Sequence, residues 1–246
     1  MTMAFKSKSI TLAAIFVCFV AFSTVAASSS QAVSNAGLQL LKSEKYSIDG
    51  DFFTLKTYKQ DDMIIYAIGD KVKDKKKVAE YAKKMLTEAG VVPLDVGETC
   101  DDYEAESRIS DAKHMTTGTG CYEFRPDDFY THQTVSFSGI QEASWVATDP
   151  WLPDQIILQQ TTVFDGWNIS ISVPPSWSKS GNTITWTSAP ITGSWWVIVT
   201  RPNNEASANL PFGNITDADI TDRVDIYVTR GQVTSVYSPQ NEIDFF

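Results

Sequence analysis

Cysteine and histidine are scarce in this chain, which has only three cysteines and two histidines among 246 residues. Zinc sites usually include at least one pair of these residues about two to five positions apart. Beyond Cys18, the cysteines and histidines of this sequence are separated by seven residues or more. The sequence therefore contains no zinc-site pattern.

The common catalytic motifs are also absent. There is no Gly-x-Ser-x-Gly turn, no His-Glu-x-x-His motif, no glycine-rich phosphate loop and no dinucleotide fingerprint. A serine triad would have to use His114 or His132, and the Asp and Ser residues close to His132 in sequence cannot converge on it from one strand. Glycoside hydrolysis by two carboxylates needs no motif, so an extracellular hydrolase with an acidic active site stays as an alternative.

Positive charge is in short supply, with 20 Lys and Arg against 30 Asp and Glu, a formal net charge of −10. Binding to nucleic acid or to anionic lipid requires a concentrated basic surface. The one basic cluster, residues 71–77 with Lys83 and Lys84, is typical of the solvated face of a helix and its lead-in. Nucleic acid is therefore not expected as a partner.

Long apolar runs are missing except near the N-terminus, where Lys6 and Lys8 precede apolar residues 12–22 and then small residues. This order is typical of a secretory signal peptide. The run is shorter than the roughly 20 residues needed to span a bilayer. We predict a signal peptide over residues 1–27, a flexible leader over 28–37, secretion to an extracellular or periplasmic location, and no transmembrane segment in the mature chain.

Removal of the signal peptide leaves two cysteines, Cys100 and Cys121. An exported chain meets an oxidising compartment, where such a pair usually forms a disulfide. On the chain-entropy model, closing a loop of this size stabilises the fold by roughly 3 kcal/mol. We predict a Cys100–Cys121 disulfide.

The N-terminal half predicts a β-hairpin followed by one helix. Residues 51–58 and 63–68 are rich in aromatic and β-branched side chains and flank a polar turn. Asp74 is a suitable helix N-cap, apolar residues follow at helical spacing, and Gly90 can end the helix in the left-handed conformation. We assign residues 38–130 to a small α+β domain that includes a disulfide-stapled loop.

The C-terminal half, residues 131–246, predicts an all-β antiparallel sandwich of immunoglobulin-like or jelly-roll type, because apolar and polar residues alternate with a period of two. Arg230-Gly231 predicts a tight hairpin between the last two strands. The candidate strands are residues 134–137, 144–147, 155–164, 167–173, 183–187, 194–201, 223–229 and 232–237.

All seven tryptophans lie within residues 145–196. The alternation places Trp167 and Trp186 at inward positions, where each indole buries a large area as part of the core. Either Trp195 or Trp196 fits an inward position as well, because adjacent residues of a strand face opposite sides.

Three tryptophans are harder to bury: Trp151 lies between prolines, Trp177 lies in a Pro/Ser/Gly-rich loop, and Trp195 must face away from Trp196. Exposed rings at the rim of a sheet can stack on sugar or grip an apolar partner with little loss of entropy. Loop tryptophans also commonly fold back to plug the end of a sandwich. We predict Trp151, Trp177 and Trp195 as ligand-binding residues, with the plug as the competing interpretation.

Asp217, Asp219 and Asp222 precede a predicted strand and form a weak candidate calcium site, because calcium prefers several oxygen ligands. The segment lacks the glycine and terminal glutamate of a helix-loop-helix calcium site. A solvated acidic loop is the competing interpretation, and we expect no cofactor other than calcium.

These patterns favour a secreted, non-catalytic binding or surface-interaction protein. The expected ligands are carbohydrate, the cell envelope or an extracellular protein, bound through exposed tryptophans of the sandwich. An acidic extracellular hydrolase and a structural subunit of an extracellular assembly, built by pairing of strand edges, are the alternatives.

Overall fold

The computed structural model describes residues 37–90, 100–127, 129–147 and 152–245. The predicted signal peptide, and all of the predicted leader except Gly37, lie outside these residues. In chain order, the elements are β1 (Gln39–Ile48), β2 (Asp51–Gln60), β3 (Met63–Ile68), α1 (Lys75–Glu88), β4 (Cys100–Ile109), β5 (Ala112–Pro126), β6 (Thr131–Trp145), β7 (Gln155–Trp167), β8 (Ser170–Ser172), β9 (Ser178–Ser180), β10 (Thr183–Thr187), β11 (Ile191–Thr192), β12 (Trp196–Leu210), β13 (Asn214–Arg230), β14 (Val233–Tyr237) and β15 (Gln240–Asp244).

The strands form two antiparallel sheets. The first sheet has the order β1-β2-β3-β12-β6-β5-β4, and β8 pairs with β12 beyond the end of β3. The second sheet has the order β14-β13-β7-β10-β9, with β11 on β7 and β15 on β13. The sheets face each other across a common core, as the stacking of Phe137 from β6 on Phe164 from β7 illustrates. The predicted antiparallel sandwich is confirmed.

The local predictions for the N-terminal half are also confirmed. β2 and β3 form the expected hairpin, and α1 begins after Asp74, whose side chain accepts a hydrogen bond from the backbone N–H of Lys77. Val78, Ala82 and Leu86 recur at helical spacing and are buried. Three lysines in the first turn oppose the helix dipole, so packing of this apolar stripe must hold the helix in place.

Cys100 and Cys121 form the predicted disulfide. They lie opposite each other in the β4–β5 pair, where the two strands run in register from Cys100–Cys121 to Ile109–Ala112. The segment that we expected to be a stapled loop is therefore mainly a long β-hairpin. Its alternation was obscured because β4 is an edge strand whose side chains are mostly exposed, so it has no continuous apolar row.

The predicted domain boundary at residues 130 and 131 lies inside the β5–β6 hairpin, where Pro126 pairs with Thr131. In addition, β3 pairs directly with β12. Strands from both predicted domains therefore share one sheet, and the described residues belong to one compact unit. Sequence periodicity reports each strand but not its pairing partner, which is why the boundary could not be located from it.

Candidate functional site

Trp195 is part of the core and is only 1% exposed. Its indole N–H donates a hydrogen bond of 2.9 Å to the backbone carbonyl of Asp70, and the Lys75 ammonium lies 5.8 Å from its ring centroid. The segment that leads into α1 therefore covers the ring. The exposure that we predicted for Trp195 is wrong, because the sequence did not indicate that this segment lies over the sheet.

Trp177 is also buried, at 6% exposure. The Arg201 guanidinium carbon lies 5.8 Å from its ring centroid, and Arg201 is itself buried between the two sheets. The loop thus folds back so that the ring contacts the core, as in the plug interpretation, and the predicted exposure of Trp177 is wrong. Trp151, the third predicted binding residue, lies outside the described residues.

Trp167 shows the opposite outcome, since we expected an inward position and its side chain is 52% exposed. The inward residues of β7 are the even-numbered ones, such as Leu158 and Phe164, which leaves Trp167 on the outward side. The predicted strand 167–173 is interrupted at Asn168, which has a φ of +52°. After this residue the chain leaves the second sheet, and β8 joins the first sheet instead.

Trp167 lies at one end of the sandwich with three exposed phenylalanines. The side chains of Phe129 and Phe212 are 87% and 70% exposed, and Phe124 is exposed as well. We call Phe124, Phe129, Trp167 and Phe212 the aromatic end.

Strand register places these residues at the same end. Leu210 pairs with Thr131, so the β12–β13 turn that carries Phe212 lies beside the β5–β6 turn that carries Phe129. Trp167 pairs with Asn214, the first residue after the β12–β13 turn. The β5–β6 turn of the first sheet, the β12–β13 turn that connects the two sheets, and the end of β7 in the second sheet therefore converge.

The β12–β13 turn holds Phe212 firmly. The backbone N–H groups of Phe212 and Gly213 both donate to the carbonyl of Asn209, at 2.8 and 2.9 Å, and the Asn168 amide donates to the carbonyl of Phe212 at 2.6 Å. A Cβ atom on Gly213 would lie only 2.6 Å from the Asn168 carbonyl oxygen, so glycine is required here. Because the backbone is fixed, an exposed Phe212 ring can bind a ligand with little loss of entropy.

A pocket of about 240 Å³ lies beside Phe212. It offers amide and hydroxyl groups next to an aromatic ring, and no charged side chain lines it. Its lining residues are Asn168, Ser170, Ser207, Ala208, Asn209, Phe212 and Gly213.

The β5–β6 turn presents Phe129 on a supported loop. The backbone N–H of Asp127 donates to the carbonyl of Tyr130 at 2.8 Å, which closes the turn. The Tyr130 ring packs edge-on against the His132 ring, with 4.8 Å between centroids. Phe129 lies within the turn that the hydrogen bond closes, and its side chain projects into solvent.

Two larger cavities border α1 and differ from this pocket in charge. One, of about 450 Å³, lies between α1 and the outer face of the first sheet, and the other, of about 770 Å³, lies beside the first turn of α1. Both are lined by several lysines. In the smaller cavity the lysines meet carboxylates, as in the Lys83–Glu142 pair at 3.2 Å and the Lys113–Glu106 pair at 2.9 Å.

The predicted calcium ligands do not all come together. Asp222 points into the core and pairs with Arg201, whereas Asp217 and Asp219 lie on the outward side of β13. Asp222 cannot share an ion with them, because side chains that alternate along a strand face opposite sides of the sheet.

Asp165 takes the place that we predicted for Asp222. The carboxylate oxygens of Asp165, Asp217 and Asp219 lie within 4.8 Å of one another. Partial burial raises the pKa of Asp219 to about 6, and repulsion from Asp217 and a hydrogen bond with Asp244 add to the shift. Calcium binding by this outward cluster stays a prediction.

His114 does not have the properties of a general base. It is buried, and this burial lowers its pKa to about 4. Its Nε2 atom lies 3.1 Å from the amide nitrogen of Gln141, which also donates to two backbone carbonyls of the second sheet. His114 therefore belongs to a polar contact between the sheets.

The sequence does carry a signal for the residues that we missed. Phe129 follows consecutive aspartates, and Phe212 lies in the sequence Leu-Pro-Phe-Gly-Asn, so both are large apolar residues within turn-forming sequence. A large apolar side chain at the tip of a tight turn has few ways to reach the core. The signal is visible at each of the two positions separately, but only the strand register shows that the two turns lie side by side.

Among the described residues, none of the helical structure is long and apolar enough to cross a membrane. No protein-family model matches the chain, and no curated protein matches it in sequence. A solved structure described as "Pore forming protein" aligns with 83% of this chain and 95% of its own, at 9% identity and a TM-score of 0.23.

Proposed function

We propose that this protein is a secreted, non-catalytic binding protein that attaches to carbohydrate through its aromatic end. The pocket beside Phe212 carries the proposal, because it combines an exposed ring with amide and hydroxyl groups and has no charged lining residue. A sugar ring presents an apolar C–H face and a rim of uncharged hydroxyls. Phe212 suits the first feature, and Asn209 and Ser207 suit the second.

The size of the pocket supports a small ligand group. Pockets for drug-sized molecules usually enclose about 300 to 1,000 Å³, whereas this one encloses about 240 Å³. A single sugar ring at the end of a longer glycan matches that volume better than a folded protein surface. Trp167, on the strand end that pairs with the start of β13, offers a second ring for a neighbouring sugar unit.

Two further observations support secretion. The Cys100–Cys121 disulfide is of the kind that persists in an oxidising compartment. The N-terminal sequence also has the order of a signal peptide, with basic, apolar and small residues in succession. Detection of the protein in the culture medium, cleaved near residue 27, would test this part of the proposal.

A glycan array probed with the full chain, followed by calorimetry on the best ligand, tests the binding proposal. We expect Phe212→Ala, Trp167→Ala and Asn209→Ala each to weaken binding by about tenfold, because truncating a residue at the centre of a site costs more than 1 kcal/mol. Phe52→Ala is the matched control. Phe52 is an exposed ring on β2, beyond the Leu55–Ile68 pair and thus at the opposite end of the sheet.

Binding to no glycan would contradict the proposal. Binding that persists unchanged in all three variants at the aromatic end would place the site elsewhere. A loss of binding in Phe52→Ala equal to that in Phe212→Ala would indicate that the variants act by a general destabilisation and not through a local contact.

A further inference from the structure

The aromatic end has a second property that sugar binding does not explain. Phe129 is the most exposed large apolar side chain of the described residues, at the tip of a turn that closes two 15-residue strands. The pocket beside Phe212 does not include it. A phenylalanine ring that stays in water does not gain the transfer free energy that burial of a ring of this size would supply.

We infer that the aromatic end inserts Phe129, together with Phe212 and Phe124, into the interface of a zwitterionic lipid bilayer. The rings of this end are largely exposed and separate from each other. Phe129 and Phe212 are carried by two neighbouring turns, and each ring projects into solvent. A rigid protein partner would need a matching cavity for each ring, whereas a lipid interface is fluid and adapts to separate protruding rings.

The surroundings of these rings are amphipathic. Tyr130, Asn168 and Asn209 lie in or next to the two turns and carry polar groups that suit the headgroup layer. Aromatic residues favour the boundary between lipid headgroups and acyl chains, with polar neighbours on the water side. The aromatic end therefore matches shallow insertion and not a crossing of the bilayer.

The charge around this end selects the kind of lipid. Asp127 flanks the β5–β6 turn, and the cluster of Asp165, Asp217 and Asp219 lies on the outward side of the strands that end beside it. The chain as a whole has a formal net charge of −10. Anionic lipid would repel this end, whereas phosphatidylcholine would not.

Vesicles of pure phosphatidylcholine test the inference, with the full chain in every sample so that any contribution of the N-terminal apolar residues is common to all variants. We expect co-sedimentation of the wild type and a loss of affinity of about tenfold in Phe129→Ser, since a partly inserted ring contributes less than a fully buried one. Phe129→Trp should retain binding, because tryptophan also favours the interface. Phe52→Ser, at the opposite end, should bind as the wild type does.

A spectroscopic readout distinguishes insertion of the ring into the bilayer from other causes of weaker vesicle binding. Phe129→Cys and Phe52→Cys, each labelled with an environment-sensitive fluorophore, report the polarity around each position. Fluorescence at position 129 should rise when vesicles are added, and fluorescence at position 52 should stay constant. Replacing a third of the lipid with phosphatidylserine should weaken binding at low salt.

Three outcomes would overturn the inference: no binding of the wild type to phosphatidylcholine, binding that is unchanged in both Phe129→Ser and a Phe129→Ser, Phe124→Ser double variant, or binding that requires anionic lipid. The inference does not rest on the proposed function, because these vesicles carry no sugar. Glycan binding can fail while vesicle binding persists, and the reverse result is equally distinguishable.

Discussion

Arg201 on β12 and Asp222 on β13 form an ion pair across the interior of the sandwich, and both side chains are only 1% exposed. Arg201 also donates to the hydroxyl of Thr162 at 3.0 Å, and Asp222 accepts from the hydroxyl of Thr116 at 3.0 Å. The pair and its two threonine partners thus connect both sheets and four strands, β5, β7, β12 and β13. The Trp177 ring, itself buried, packs over the guanidinium.

Breaking this pair should be costly. We expect Arg201→Met or Asp222→Leu alone to lower the free energy of unfolding by about 3 to 5 kcal/mol, because each leaves a buried charge without its partner. The double variant should be more stable than either single variant, since it removes both charges. Urea unfolding of the four proteins measures this. Single variants that lose less than 1 kcal/mol would contradict the expectation.

The exposed Lys84–Glu88 pair on α1 provides a control for that measurement. Its charged atoms are 3.8 Å apart, and both side chains are mostly exposed. Glu88→Gln should change the free energy of unfolding by less than about 0.5 kcal/mol, because solvent screens surface pairs of this kind.

The loss of stability on replacing a tryptophan should depend on how deeply its ring is buried and not on the sequence around it. Trp177→Ala should destabilise the fold by about 3 to 5 kcal/mol, because it removes a large ring from the core and uncovers Arg201. Trp167→Ala should cost less than about 0.5 kcal/mol, since its side chain is half exposed. Thermal and urea unfolding of the two variants distinguish these outcomes. Equal losses would mean that the assignment of core and surface is wrong.

Reduction of the Cys100–Cys121 disulfide should destabilise the fold by roughly 3 kcal/mol, because it frees a loop of 21 residues in the unfolded chain. The Cys100→Ser, Cys121→Ser double variant should match the reduced wild type and should not respond to reductant. Unfolding curves with and without dithiothreitol test this. A wild type whose stability is independent of reductant would contradict the prediction.

Asp219 should make stability depend on pH in the weakly acidic range. Its pKa is raised to about 6, well above the ordinary value for an aspartate, first by partial burial and then by Asp217 and Asp244. The folded protein therefore holds this proton more tightly than the unfolded chain does. The stabilising contribution is present below about pH 4 and is lost as the pH rises through 6.

Asp219→Asn should remove this dependence. We expect the variant to exceed the wild type in stability by about 0.5 to 1 kcal/mol at pH 7.5, a figure reduced for solvent screening, and by much less at pH 4. Urea unfolding at the two pH values, at low and high salt, measures the difference. Asp101→Asn, at an exposed position on β4, is the control and should show no such gain.

The local elements followed from the sequence because their causes are local. The β2–β3 hairpin, the Asp74 cap and the apolar stripe of α1 each depend on residues within a few positions of one another. The disulfide followed from counting, since export would leave a single pair of cysteines. The sandwich followed from period-two alternation over more than a hundred residues.

The candidate site depended on contacts that alternation cannot report. Alternation gives two opposite faces of a strand but not which face is covered, so Trp167 was predicted to be buried and Trp195 to be exposed, and both predictions were wrong. Asp222 was grouped with Asp217 by proximity in sequence, because the segment was expected to precede a strand. It lies within β13, where side-chain alternation puts the two residues on opposite sides.

The sequence alone determined that this chain would form antiparallel strands, one capped helix and a disulfide, because residue type and spacing govern those features directly. The tertiary structure decided which rings reach solvent. Phe129 and Phe212 are more than 80 residues apart in sequence, and only the pairing of β6 with β12 brings their turns side by side. Pairing between distant strands is set by the packing of the whole core, which no local pattern encodes.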